Sequence, residues 1–134
     1  MIFMAEHPHI ALVRKGYDAF SRGDMQTLSG LMAGDASQHV PGSHGLAGDY
    51  KGVENILAYY QRLGAESNGS FRVELEHLFA DGRGHVVSVH RGTADRNGKH
   101  LDARGGIIFR IVGEKVTDLD ECVEDLDVAD DFWA

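Results

Sequence analysis

The chain is short of almost everything that marks an elaborate function. It has one cysteine among 134 residues, Cys122, so no internal disulfide can form and a reducing cytoplasm is the expected compartment. Acids from Glu121 to Asp125 surround that thiol and disfavour its thiolate, so a packing role is expected for it. Basic residues are outnumbered: the net charge is -8, which argues against nucleic acid and anionic membrane surfaces as partners. No apolar run approaches the ~20 residues of a membrane helix. Met1–Ala5 shows neither the cationic flank nor the apolar length of a secretory signal. Gly-x-Gly-x-x-Gly, a Walker loop, Gly-x-Ser-x-Gly and Cys-x-x-Cys are all missing, which removes the common nucleotide, hydrolase and redox motifs. No short ligand spacing points to a metal, and no cofactor is expected.

What is present is an ordered series of elements. Ile10, Val13, Tyr17 and Phe20 recur at helical spacing and predict an amphipathic helix over about 8–22, stopped by Gly23. Asp24 can cap a second helix carrying Leu28, Leu31 and Met32, ending at Gly34. Residues 36–41 read as a short strand closed by Pro41-Gly42, followed by a loop over 43–48. Val53, Ile56, Leu57, Tyr60 and Leu63 define a third helix. Then comes alternation: Phe71, Val73, Leu75, His77 and Phe79 on one face of a strand, with Arg72, Glu74 and Glu76 on the other. Strands over 85–95 and 99–112 meet at the hairpin signal Asn97-Gly98, and a last strand covers 115–123. The tail, Asp130-Asp131-Phe132-Trp133, is expected to dock back on the body. The expected fold class is α+β: one domain over 1–134, three N-terminal helices packed on a strongly bent, mostly antiparallel sheet that encloses a pocket.

The runs Val40-Pro41-Gly42 and Leu46-Ala47-Gly48-Asp49-Tyr50-Lys51-Gly52 before a helix resemble the SnoaL-like group of the nuclear transport factor 2-like superfamily. So do Gly98-Lys99, Phe109-Arg110-Ile111, Asp125 and the closing Asp131-Phe132-Trp133. The likeness spans essentially the whole chain. It implies a cone-shaped α+β barrel with a deep pocket, a homodimer formed through the outer sheet face, and a small apolar ligand. Polyketide cyclases, ketosteroid isomerases and limonene epoxide hydrolases share the superfamily. The polar groups of the ketosteroid isomerases fall roughly on Gly16, Val40 and Ile107 here, so that constellation is missing. The hydrolase positions resemble His39, His90, Ser88, and Asp120 or Glu121, without the hydrolase arginine.

His39 and His90 are therefore candidate proton carriers, since imidazole titrates near neutral pH. His90 shares a strand face with Ser88, and that face is expected to meet the pocket. Among Asp118, Asp120 and Glu121, parity separates the two aspartates from the glutamate, and Asp120 is the preferred acid. The expected catalytic set is His39, His90 and Asp120; Tyr17, Phe20, Tyr60 and Ile107 are expected against substrate. His77 reads as a packed or rim histidine, and Asp102 with Arg104 as a surface ion pair. The activity expected is cofactor-free acid/base chemistry of cyclase, isomerase or hydrolase type on a carbonyl- or epoxide-bearing ligand. The alternative is a non-catalytic binding or assembly module.

Overall fold

Helix boundaries follow from their caps. The computed structural model describes residues 6–134; the expectation about a signal at Met1–Ala5 lies outside them. Helix α1 (Pro8–Arg22) starts on Pro8, whose missing N–H costs nothing in a first turn, and ends at Gly23 with φ 68°. Asp24 accepts the N–H of Thr27 and so starts α2 (Met25–Leu31). Two further helices are α3 (Val53–Glu66) and α4 (Leu126–Trp133), the latter capped by Asp125 on the N–H of Val128.

Six strands form one sheet: β1 (Met32–Val40), β2 (Gly48–Lys51), β3 (Arg72–Ala80), β4 (His85–Arg96), β5 (Lys99–Val112) and β6 (Lys115–Val123). Their order is β2-β1-β6-β5-β4-β3. Only β1 against β6 runs parallel, which sets His39 beside Asp120 and Gln38 beside Leu119. The mixed α+β architecture matches the expectation, with differences of detail. Met32 opens β1 instead of closing α2, and the tail forms a helix of its own. The glycine-flanked segment at 48–51 is a strand paired to β1.

The sheet departs from regular pairing at several places, and one of them changes which side chains face inward. A β-bulge between Leu75 and His77 inserts Glu76 and swaps the faces of everything after it. His77 and Phe79 therefore lie on the outer face, and Leu78 turns in to the core. Strict alternation keeps His77 and Phe79 on the face of Leu75 instead. Further along, a Cβ on Gly106 would stand 2.0 Å from the carbonyl oxygen of Ser88, so only glycine lets β4 and β5 approach there.

The helices cover the concave side. Val13, Ala19, Leu28 and Ile56 pack on Val86, Phe109, Ile111 and Leu119. A second cluster joins Val40, Leu46, Tyr59, Leu63 and Leu101 to Phe132 and Trp133. The tail does dock: Arg96 and Lys99 donate to backbone carbonyls of Phe132, Ala134 and Asp131, and Asp130 accepts from the N–H and hydroxyl of Ser43. Burying two aromatic side chains is worth roughly 1.5–3 kcal/mol each, more than such exposed polar contacts supply.

The convex side is mixed. Arg91 holds Asp102 in a two-pronged pair, and Arg104 reaches Glu76 instead of Asp102. Cys122 is exposed on this side and not packed, because it alternates with the inward Glu121. Phe79, Val87, Ile108 and Val112 are also exposed. Among the described residues, no helix is long and apolar enough to cross a membrane.

Candidate active site

The concave face encloses a cavity of about 120 Å³. Apolar side chains line most of it: Leu12, Leu28, Leu31, Val73 and Phe109 are representative, and no lysine or arginine is among the lining residues. Tyr17, Phe20, Tyr60 and Ile107 all line it, as does His90. The other two expected catalytic residues do not. His39 projects from the outer face of β1 and pairs with Asp49 at 2.7 Å, its side chain 52% exposed. Asp120 is exposed on the outer face of β6. Strand parity is the reason: Gln38 and Val40 are the buried residues flanking His39, and Leu119 is the buried neighbour of Asp120.

The carboxyl that enters the cavity is Glu121, two residues beyond Leu119 on the same face of β6. Gln38, completely buried on β1, donates from Nε2 to Glu121 Oε1 at 2.5 Å. Tyr59 on α3 donates its hydroxyl to Oε1 at 3.0 Å and reaches Oε2 at 3.2 Å. Tyr60 donates to Gln38 Oε1 at 2.6 Å, which fixes the amide so that its nitrogen faces Glu121. Consecutive tyrosines on α3 thus serve one carboxyl, directly and through Gln38. Oε1 is engaged twice; Oε2 keeps one longer contact and is the oxygen left to accept a proton.

Burial pushes the Glu121 carboxyl up to about 7, against the partial relief given by the Tyr59 and Gln38 hydrogen bonds. The same burial raises the tyrosine hydroxyls at 17, 59 and 60, so each stays protonated as a donor. A second polar cluster stands on the β4 wall. The Tyr17 hydroxyl lies 2.7 Å from Ser88 Oγ and 2.6 Å from His90 Nδ1, and Ser88 Oγ takes the N–H of Ile107. Desolvation pulls His90 down to about 4, so its ring is neutral at physiological pH.

Sequence reasoning missed Gln38, Tyr59 and Glu121 as site residues, although Glu121 stood among the weighed acids. Parity with Leu119 was the available signal for Glu121, and parity with Val40 for Gln38. Nothing in the sequence pairs Tyr59 with a strand 62 residues away. Among the described residues, no group of three His, Cys, Asp or Glu is placed to hold a metal ion.

Residues 13–119 match the model of the SnoaL-like domain. An uncharacterized protein of Mycobacterium tuberculosis is 37% identical over 131 residues, spanning 98% of this chain and 100% of its own. Bal32a, from a soil-derived mobile gene cassette, is 42% identical in sequence, with a TM-score of 0.92 over 95% of this chain and 97% of its own. An NTF2-like protein of unknown function from Burkholderia pseudomallei K96243 shares the fold at 16% identity, with a TM-score of 0.85 over 96% and 99% of the two chains.

Proposed function

The chain belongs to the SnoaL-like family, and on that footing we propose that it is a cofactor-free enzyme that moves a proton on a small apolar carbonyl compound, with Glu121 as the base. One observation carries this reading: a lone carboxyl enters an apolar cavity, where burial pushes it up to about 7 and Oε2 is held only by the longer contact from Tyr59. A base whose pKa matches the working pH combines a useful ionised fraction with useful driving force. The family implies a ligand pocket but no single reaction, so the residues must supply the choice. Epoxide opening needs an acid and a water-activating base together. Here the cavity holds one carboxyl and a neutral histidine, which fits proton abstraction beside a carbonyl better. His90, with Tyr17 and Ser88, adds a neutral polar wall beside the base. Tyr17, Phe20, Tyr60 and Ile107 hold the apolar body. His39 and Asp120 have no part in this mechanism.

The test is deuterium uptake. The protein is incubated in D2O with cyclic and aryl ketones, and α-carbon exchange is followed by mass spectrometry. The expected result is catalysed exchange in the wild type, reduced about 100-fold or more by Glu121→Gln, whose amide keeps an oxygen for Gln38 and Tyr59. Unchanged exchange in E121Q would dismiss Glu121 as the base.

A second reading has one observation in its favour. The cavity's polar groups also hydrogen-bond one another, as a purely structural network would. Saturable ketone binding with no exchange would assign a binding module. Either way we place a homodimer on the outer sheet face, where Phe79 is 60% exposed beside the exposed Val87, Ile108 and Val112. Light scattering at micromolar concentration should return twice the chain mass.

A further inference from the structure

The cavity has a neighbour on the other side of Glu121. A second hollow of about 90 Å³ lies between β5, β6 and α4, and it shares Tyr59, Leu63, Phe71, His90 and Glu121 with the first. Those five residues are the waist at which two compartments of different chemistry adjoin. The helix-side compartment is close in size to an engineered apolar cavity of ~150 Å³ that takes up one benzene ring. It has room for one small ring. A longer ligand must pass Glu121 and enter the second compartment.

That second compartment carries its own donor. His44 lines it, between Val40-Pro41 and Trp133. The N–H of Leu46 donates to His44 Nδ1 at 3.1 Å, so the ring proton sits on Nε2. Nε2 makes no hydrogen bond within the described residues. The ring lies 6.5 Å from that of Trp133, which helps hold its plane. Desolvation lowers the His44 pKa, against the raising influence of Asp130 and Glu66, and keeps the ring neutral. The charged groups nearby disfavour an anionic ligand: Asp125 lines the hollow, and the guanidinium of Arg104 is taken by Glu76.

We infer that the ligand is an uncharged molecule of two parts, a ring-sized apolar group on the helix side and a short arm that crosses the waist to offer a carbonyl or hydroxyl oxygen to His44 Nε2–H. The inference rests on the proton-transfer reading only in placing the reacting carbon at the waist, beside Glu121. His44 is then a specificity-determining contact and not a base.

Three probes test it: 4-phenylbutan-2-one, butylbenzene and toluene, titrated into labelled protein by NMR. The ketone has the ring, the arm and an enolisable carbon between them; butylbenzene lacks only the acceptor. The wild type should bind the ketone about 10-fold more tightly than butylbenzene, the worth of one buried hydrogen bond. His44→Asn should erase that preference, because the shorter amide can still accept from Leu46 but cannot reach the Nε2 position. Ala103→Leu fills the second compartment from β5; it should weaken the ketone and leave toluene unchanged. Equal binding of ketone and butylbenzene by the wild type, or a preference that survives both variants, overturns the inference. Deuterium uptake separates the two proposals. Exchange of the ketone without dependence on His44 keeps the base and removes the arm site. A His44-dependent preference without exchange keeps the arm site and removes the base.

Discussion

Glu121→Gln gives the sharpest physical test, because its effect on stability changes with pH in a calculable way. In the unfolded chain this carboxyl titrates near 4.5, and in the fold near 7. Below pH 4.5 both states hold the proton and Glu121 contributes no pH dependence. Between pH 4.5 and 7 the unfolded chain releases the proton while the folded chain keeps it. The native state then binds more protons, so stability falls as pH rises through this window. The gap, at roughly 1.4 kcal/mol per pKa unit, amounts to about 3 kcal/mol above pH 7. Glutamine does not titrate, so E121Q escapes the loss. Urea unfolding of both proteins at pH 4.5, 5.5, 6.5 and 7.5 isolates the residue, since every other group cancels in the difference. E121Q should gain on the wild type by about 3 kcal/mol across the series. A difference independent of pH would mean that Glu121 titrates as an ordinary solvated acid, and the reasoning about its burial would be wrong.

Other outcomes follow from the same geometry. His90, pulled down to about 4 from 6.5, works in the opposite direction: the unfolded chain gains a proton that the fold refuses. Stability should therefore fall by about 3 kcal/mol as pH drops from 6.5 to 4, and His90→Asn should remove most of that acid sensitivity in the same unfolding series. Tyr59→Phe takes a donor from the ionised carboxyl, so the midpoint of the pH–exchange profile should move upward from the wild-type value. Gly106→Ala drives a methyl group into the Ser88 carbonyl and should cost about 3 kcal/mol in urea unfolding, or prevent folding.

The sequence carried the elements better than it carried the faces. Helical spacing from Ile10 to Phe20 and the Asn97-Gly98 hairpin placed α1, β4 and β5 closely, because local caps and turns decide them. The face of β3 beyond Leu75 was lost to a bulge, which nothing in the alternation Leu75, His77, Phe79 announces. The site divides along the same line. Tyr17, Phe20, Tyr60, His90 and Ile107 reach the cavity because they share parity or helical phase with core residues. Likeness to other proteins points to His39 and to Asp120 or Glu121, at positions where one step along a strand reverses the side chain. Gln38 and Glu121 are the inward pair, and only the parallel join of β1 to β6 brings them together.

The central claim is that Glu121 sits in the cavity as a carboxyl poised to exchange a proton near neutral pH. Its most direct test is an NMR titration of the protein with carbon-13-labelled glutamate side chains, the Glu121 resonance assigned by its loss in E121Q. A carboxyl midpoint near pH 7 is the predicted result. A midpoint near 4.5 would show a solvated acid, and the proposed base would be gone.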